Sequence, residues 1–433
     1  MAGIKIPPSE KIRKEIGEMV AGEGEAAEGG NLVEWLMEKA KGLIVQELLE
    51  REVEEFLGRK HYQRKKEDAG QAGYRNGYEP RRLKTAEGLL TMQVPQVRDT
   101  EEKFCSRLKE FFRNNTEVLE KLAAEMYTRG LSSRDIEEAL HSATGDRLLS
   151  RSSVSRVTEI LWEEYQAFCR RDLSVYEVEY LVIDAVYETI RRYVSGNEAI
   201  LVAFGICRDG RKVLLHMELG NKESYDFCRG FLRNMVQRGL NIPLSVTSDG
   251  APGMVKAIDE VFGRSLRIRC WVHKMTNLSN KVPKEDWVRI KPEIAAIRDS
   301  VDYQEGERRL KEFVGKYQRV CPSLVACLLD DWQALLNVLY LPARHRKNVR
   351  TTNLVERSFV EERRRTKIIP QFLTERSCLK LVFSVLYRSS FRWRRIPMSA
   401  WERAEIDRLR KVRNIPVPEQ KSAVPEKEAV LVS

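Results

Sequence analysis

Asp184 sits in the middle of the run Tyr180-Leu-Val-Ile-Asp-Ala-Val-Tyr187. The β-branched and aromatic residues around it read as a strand. A carboxylate inside such a strand is unfavourable unless a partner or a cation neutralises it. The run therefore constrains two things together: a sheet passes here, and something compensates a charge within it. Two other acids lie in settings that suit the same compensation. Asp249 ends the apolar run Pro243-Leu-Ser-Val-Thr-Ser-Asp249, just before Gly250, and Glu356 stands at the start of a strongly basic helical segment. A strand, a strand end and a helix can aim three carboxylates at one pair of Mg²⁺ ions. Each acid also has a structural reading. Asp184 could be salt-bridged, and Asp249-Gly250 is an ordinary turn dipeptide. Asn353-Leu-Val-Glu356 reads as a capping box with Asn353 at the N-cap and Glu356 at the third helical position.

The pattern around these acids is that of an α/β core. Tyr180–Tyr187, Ala199–Ile206 and Lys212–Leu219 read as three strands, with Arg208-Asp-Gly-Arg211 turning between the second and third. A helix over about 223–238, a fourth strand ending at Asp249, a helix around Met254–Phe262 and a fifth strand over Ser265–Cys270 follow. The order βββαβαβ, with acids on the first strand and after the fourth, is that of an RNase H-like core with a mixed five-stranded sheet. Glu356 lies 107 positions beyond Asp249, far more than one crossover helix needs. Residues 274–342 carry Leu, Val and Trp at helical spacing and predict an all-helical insertion, with Trp287 and Trp332 in its core. The catalytic unit is thus expected over 176–273 and 343–396, completing βββαβαβα with the Glu356 helix.

Upstream, residues 1–31 hold a short basic helix and a flexible acidic linker, and 32–170 read as a mainly helical region. Leu32–Leu57 has helical apolar spacing, and Leu89–Pro95 alternates as a short strand. Ser132 caps one helix and Ser150 opens another, with Val154, Val157 and Leu161 inward. Ser152, Ser153 and Arg156 are then left outward, which suits the second helix of a helix-turn-helix over about 131–162. The tail from 414 to 433 reads as disordered.

Charge singles out a polyanionic partner. Arg344–Arg395 holds fifteen Lys/Arg against four Glu, a local excess equal to the +11 of the whole chain, and Arg59–Lys84 holds nine against three acids. Two basic blocks, one around a candidate metal carboxylate, favour nucleic acid. The phosphate-contact candidates are Arg75, Arg81 and Arg82 upstream, then Arg344, Arg346, Lys347, Arg350, Arg363, Arg364, Arg365 and Lys367. No run of about 18 apolar residues predicts a membrane span. The eight scattered cysteines fit reduced thiols in a cytosolic chain. Cys270-x-x-His273 is half of a zinc pattern, and no second close Cys/His pair completes it. Cys270 is read as packing at the end of the fifth strand, with His273 a polar or DNA contact near the acids.

Taken in order, several of these segments resemble the Mutator-like DDE transposases of bacterial insertion sequences. The resemblance runs over roughly 32–395. It rests on Gly73-Tyr-Arg-Asn-Gly-Tyr78, Asp184-Ala-Val-Tyr187, Ser248-Asp-Gly-Ala-Pro-Gly253, Arg269-Cys-Trp-Val-His273, and Arg350-Thr-Thr-Asn-Leu-Val-Glu-Arg357 followed by Arg363-Arg-Arg-Thr-Lys367. It implies that Asp184, Asp249 and Glu356 bind two Mg²⁺ or Mn²⁺ ions, with Cys270, His273 and Asn353 as neighbours. It also implies double-stranded DNA, both element ends and target, as partner, a homodimer on DNA, and a bacterial cytoplasmic, nucleoid-associated setting. Ser358-Phe359 and Ile368-Ile-Pro-Gln-Phe372 depart from the family pattern without touching a candidate ligand. The rival expectations are a structure-selective nuclease or resolvase on the same fold, and a DNA-binding regulator that uses only residues 60–165.

Overall fold

The computed structural model describes residues 6–22, 31–63, 73–108, 115–191, 196–220, 224–367, 369 and 371–418; of 196–197 and 353–357 it describes the backbone alone. Most of the expected acidic linker, residues 23–30, and the tail from 419 onward lie outside these residues. The chain divides into two compact units, residues 1–127 with 131–158, and residues 128–130 with 159–433.

In the first unit the helix Leu32–Leu57 starts where the Asn31 side chain accepts the Val33 N–H at 3.0 Å and ends on Gly58 at φ +63°. It lies on a two-stranded antiparallel sheet, β1 (Tyr74–Thr85) and β2 (Gly88–Arg98). Leu49, Met92 and Val94 are buried between them, and the Gln46 side chain grips the Gln93 backbone from both sides, at 2.8 and 3.0 Å. The alternation over 89–95 predicts β2, and no such pattern marks β1. Residues 74–85 are polar on both faces, so they lack the alternation that marks a half-buried strand. Pro80 and Pro95 fit because both strands are sheet edges. The region is therefore less uniformly helical than expected.

Farther along, Ser133–Thr144 is capped by Ser132 in a capping box with Asp135, and Arg151–Val157 is capped by Ser150. Both helices close, with Glu117–Thr128, over Leu119, Ile136, Leu140, Leu149 and Val154. The second of them stops after seven residues, and a new helix begins at Ile160, where a continuous helix to Leu161 was expected.

The second unit is built on a five-stranded sheet in the order β5-β4-β3-β6-β7. Its strands are β3 (Val178–Ile190), β4 (Gly196–Cys207), β5 (Lys212–Gly220), β6 (Ser245–Ser248) and β7 (Leu266–Arg269). The first three form an antiparallel meander, and β6 and β7 join β3 in parallel. The expected strand order and the two intervening helices are present. Between β4 and β5, Gly210 takes φ +82° and leaves no room for a Cβ against the Ile396 carbonyl, so only glycine fits that turn.

Helices cover both faces. On one, Tyr225–Gln237 and Pro252–Val261 bury Phe231, Leu232, Met254 and Ile258 against Leu181, Ile183, Leu201 and Val246. On the other, Tyr180, Ile206 and Ile268 meet the long helical stretch between β7 and Val349. That stretch shares its core with the sheet, and Trp287 and Trp332 pack half-buried against it. Its two ends are tied together, Trp271 N–H donating to the Arg350 carbonyl at 2.9 Å.

Candidate active site at the strand ends

Parallel pairing assembles the site. Val182 pairs with Thr247, and Thr247 with Ile268. Two residues further along each strand come Asp184, Asp249 and Cys270. Side chains two apart in a strand share a face, so the register brings together three residues that lie far apart in sequence. The Cys270 N–H still donates to the Ser248 carbonyl at 2.8 Å, which holds these ends in line.

Short-range bonds fix each group. Asp184 accepts the Ala185 N–H at 3.0 Å, and Asp249 accepts the Ala251 N–H at 2.9 Å. Gly250 stands at φ +84°, and any Cβ there would strike the Arg269 guanidinium, which donates to the Gly250 carbonyl at 2.9 Å. The Asp-Gly pair is thus a turn, as its composition suggests, and that turn also aims Asp249. Thr352 was not singled out in the sequence. Its N–H donates to the Cys270 sulfur at 3.4 Å, and its hydroxyl stands 3.5 Å from the same atom. Thr247 Oγ1 donates to the Val349 carbonyl at 2.8 Å, so the segment leading into the Glu356 helix is anchored on β6.

The electrostatics follow from burial. Desolvation pushes Asp184 up to about 7, and the Asp249 charge adds to the push, against His273, the Ala185 N–H and a Thr352 hydrogen bond. His273 rises to about 9, chiefly through its hydrogen bond to Cys270, with burial opposing and the Cys270, Asp184 and Asp249 charges assisting. The Cys270 thiol is lowered although burial works against it, because hydrogen bonds with His273 and Thr352 outweigh burial. Cys270 occupies the N-cap of the helix Trp271–Ser279 and His273 its third residue. The C-x-x-H spacing is therefore that of a thiol–imidazole pair over one helical turn, beside the two acids.

Glu356 needs a correction of register. Its helix runs Asn353–Thr366 with Thr352 at the N-cap position and no side-chain cap bond there. Asn353 is the first helical residue and Glu356 the fourth, so the expected capping box does not form in that register. The side chains of Asn353 and Glu356 lie outside the described residues. The backbone nonetheless starts this helix directly after Thr352, which touches both Cys270 and Asp184.

The basic residues separate into two groups. Arg346 donates to four backbone carbonyls, those of Leu341, Leu339, Ser300 and Val301. Arg75 is half-buried and donates to the Arg59 and Lys60 carbonyls. Arg350 pairs with Asp299, and Arg364 and Arg365 both pair with Glu361. Arg81 pairs with Glu79 in the open. Arg82, Arg344, Lys347, Arg363 and Lys367 are exposed. Ser152 and Arg156 are exposed and Ser153 half-buried on the Arg151–Val157 helix, where Arg156 donates to Ser153 at 3.3 Å.

A divalent cation fits the residues present. Asp184 and Asp249 offer hard oxygen donors side by side, and Asp184 is held in a setting that disfavours its charge. A cation there removes that penalty. Among the described residues no three His, Cys, Asp or Glu side chains stand together as metal ligands, and the Glu356 side chain is not one of them.

Comparisons with known proteins agree over most of the chain. The Mutator transposase family matches residues 20–395. The chain is 33% identical over 351 residues, 81% of its own length and 86% of the relative's, to the transposase for insertion sequence element ISRM5 of Rhizobium meliloti. It is 32% identical over 360 residues, 82% of its length and 90% of the relative's, to that of IS406 of Burkholderia multivorans. A transposase of IS256 in transposon Tn4001 from Staphylococcus aureus is 29% identical over 359 residues, 81% of this chain and 89% of the relative. Strand order, paired aspartates and sequence likeness lead to one conclusion: the chain belongs to the Mutator family of transposases.

Proposed function

We propose that this chain binds the ends of a mobile DNA element and cuts and joins DNA strands at a site formed by Asp184, Asp249 and Glu356. The observation that carries the reading is the parallel register, which sets Asp184 beside Asp249 at the foot of the helix bearing Glu356. The catalytic unit is read as RNase H-like, with 274–342 as an insertion between β7 and that helix. Three carboxylates would hold two Mg²⁺ or Mn²⁺ ions, which when bound activate the attacking oxygen and stabilise the leaving 3′ oxygen. The protein's own residues orient and neutralise. His273, cationic at neutral pH, balances the acids, while Arg344, Lys347, Arg363 and Lys367 are exposed for phosphates. No side chain need act as nucleophile, since water releases the 3′-OH and that hydroxyl attacks the target strand. A Mg²⁺-dependent strand-transfer assay on element-end DNA tests the reading. Cleavage without joining would favour a resolvase-like nuclease, and binding without cleavage a regulator.

End recognition is assigned to residues 60–165. The exposed helix Arg151–Val157 carries Ser152, Ser153 and Arg156 for base contacts, with Arg82 and Arg81 for phosphates. Arg156→Ala is expected to cost roughly 1–3 kcal/mol on cognate ends and to relax sequence preference. Binding curves on cognate and scrambled DNA check this. Equal weakening on both would make Arg156 a phosphate contact only. Joining two ends requires two catalytic subunits held together, most simply as a two-fold dimer. Mass measurement on end DNA should find two copies per paired complex, and a monomer that still joins paired ends would contradict this.

A further inference from the structure

Four residues beyond Asp184 on β3, and hence on the same face of the strand, stands Glu188. Glu198 on β4 is its direct cross-strand partner and is buried. From the helix that carries Glu356, Glu362 is turned fully inward, 0% exposed, and neither of its carboxylate oxygens accepts a hydrogen bond. Among the described residues, the groups that act on it include the Glu188 carboxylate, the Thr366 hydroxyl and, more distantly, Arg363. Cys378, fully buried on the neighbouring helix Glu375–Ser390, faces Glu188, Glu362, Glu198 and Glu375. Like charges brought together without water or a cation are strongly unfavourable. A proton on one of the carboxyls removes that penalty.

We propose that a protonated Glu362, facing the Glu188 carboxylate, seats the helix carrying Glu356 on the strand carrying Asp184. The pair is a positioning device, acting on the acids through the two elements that hold them. Burial and, after it, the Glu188 carboxylate push Glu362 up to about 9 from an ordinary 4.5. The folded state therefore keeps a proton that the unfolded chain gives up. The stability this proton supports is fully present below about 4.5 and is lost as the pH rises through about 9. Its functional half rests on the acid-triad reading above; its stability half does not.

The test compares wild type with Glu362→Gln, which keeps the shape and a donor toward Glu188 without titrating. Thermal unfolding is followed from pH 5.5 to 9 without metal or DNA, and Mg²⁺-dependent cleavage of end DNA over the same range. The wild-type midpoint should fall relative to the variant, the gap widening by at least about 3 °C across the range. Glu362→Gln should cleave within about threefold of wild type at pH 7 and keep its rate at pH 9, where wild type loses about tenfold or more. Glu188→Gln, which hands Glu362 a donor, should narrow the wild-type slope. Glu362→Met serves if the glutamine variant does not fold. A gap that stays constant with pH overturns the proposal, as does a Glu362→Gln protein that is stable yet as inactive as Glu356→Gln at every pH. If no protein cleaves DNA, the transposase reading fails, and the stability gap alone still decides the pair.

Discussion

Asparagine at Asp184 or Asp249, or glutamine at Glu356, is expected to lower cleavage and joining by at least about a thousandfold while leaving end binding within about twofold. Each change removes one charged oxygen donor without changing side-chain shape. The residues proposed for end recognition, Ser152, Ser153, Arg156, Arg81 and Arg82, are untouched by these changes, so affinity is expected to survive. Asp184→Asn carries a second signature. Burial raises the Asp184 carboxyl to about 7, so its contribution to stability is present below the ordinary value near 3.8 and lost as the pH climbs through about 7. In metal-free buffer above pH 7 the asparagine variant should therefore unfold no earlier than wild type, and later if the penalty is fully relieved. Gel assays with radiolabelled ends and calorimetry check the two halves. Loss of stability with retained cleavage would make Asp184 a structural acid, and near-normal cleavage by Glu356→Gln would make Glu356 a helix-end residue only.

Arg410→Met should be the most destabilising single change outside the site. Glu179, at the start of β3, and Arg410 are both 0% exposed and bond at 2.8 Å. Arg410 also donates to the carbonyls of Ile242, Pro416 and Val178. Arg208, from the β4–β5 turn, bonds Glu179 at 2.9 Å and reaches Asp407 on the same helix as Arg410. Removing Arg410 leaves a buried carboxylate half-compensated and takes a donor from three carbonyls, of which those of Val178 and Ile242 keep the Asn241 side-chain amide. Breaking such a pair costs about 3–5 kcal/mol. Denaturant titration measures it, with exposed Lys411→Ala as a control expected within about 0.5 kcal/mol of wild type. A loss below about 1 kcal/mol would show that Arg208 alone compensates Glu179.

This clasp marks where sequence reading stopped. The catalytic unit was expected to end at 396, yet the helix Ala400–Val412 closes it through Arg410. Nothing local to Arg410 distinguishes it from the exposed arginines around it, because burial is conferred by β3, more than two hundred residues away. Arg346 teaches the same lesson. It sits in the most basic stretch of the chain and reads as a phosphate contact, but its guanidinium is engaged by the carbonyls of Leu339, Leu341, Ser300 and Val301. Glu362, in the middle of a helix rich in charge, carries no local signal of burial and is 0% exposed.

What the amino-acid pattern by itself determined was local. The five strands and their order of appearance, the serine-capped helices, the Asp249-Gly250 turn, and the conflict of Asp184 with its own strand are all written in residues within a few positions of one another. Periodicity and turn chemistry act over that range, so they are legible without a partner. What only the tertiary structure decided was adjacency. Asp184, Asp249 and Cys270 become neighbours because β3, β6 and β7 pair in parallel with one register. Thr352 enters the site because the helical stretch returns its chain to the strand ends, and the Glu356 helix begins one residue earlier than its capping signature suggests. Register and return path are set by long-range burial of apolar faces and by matched backbone hydrogen bonds, and no window of the sequence contains both partners.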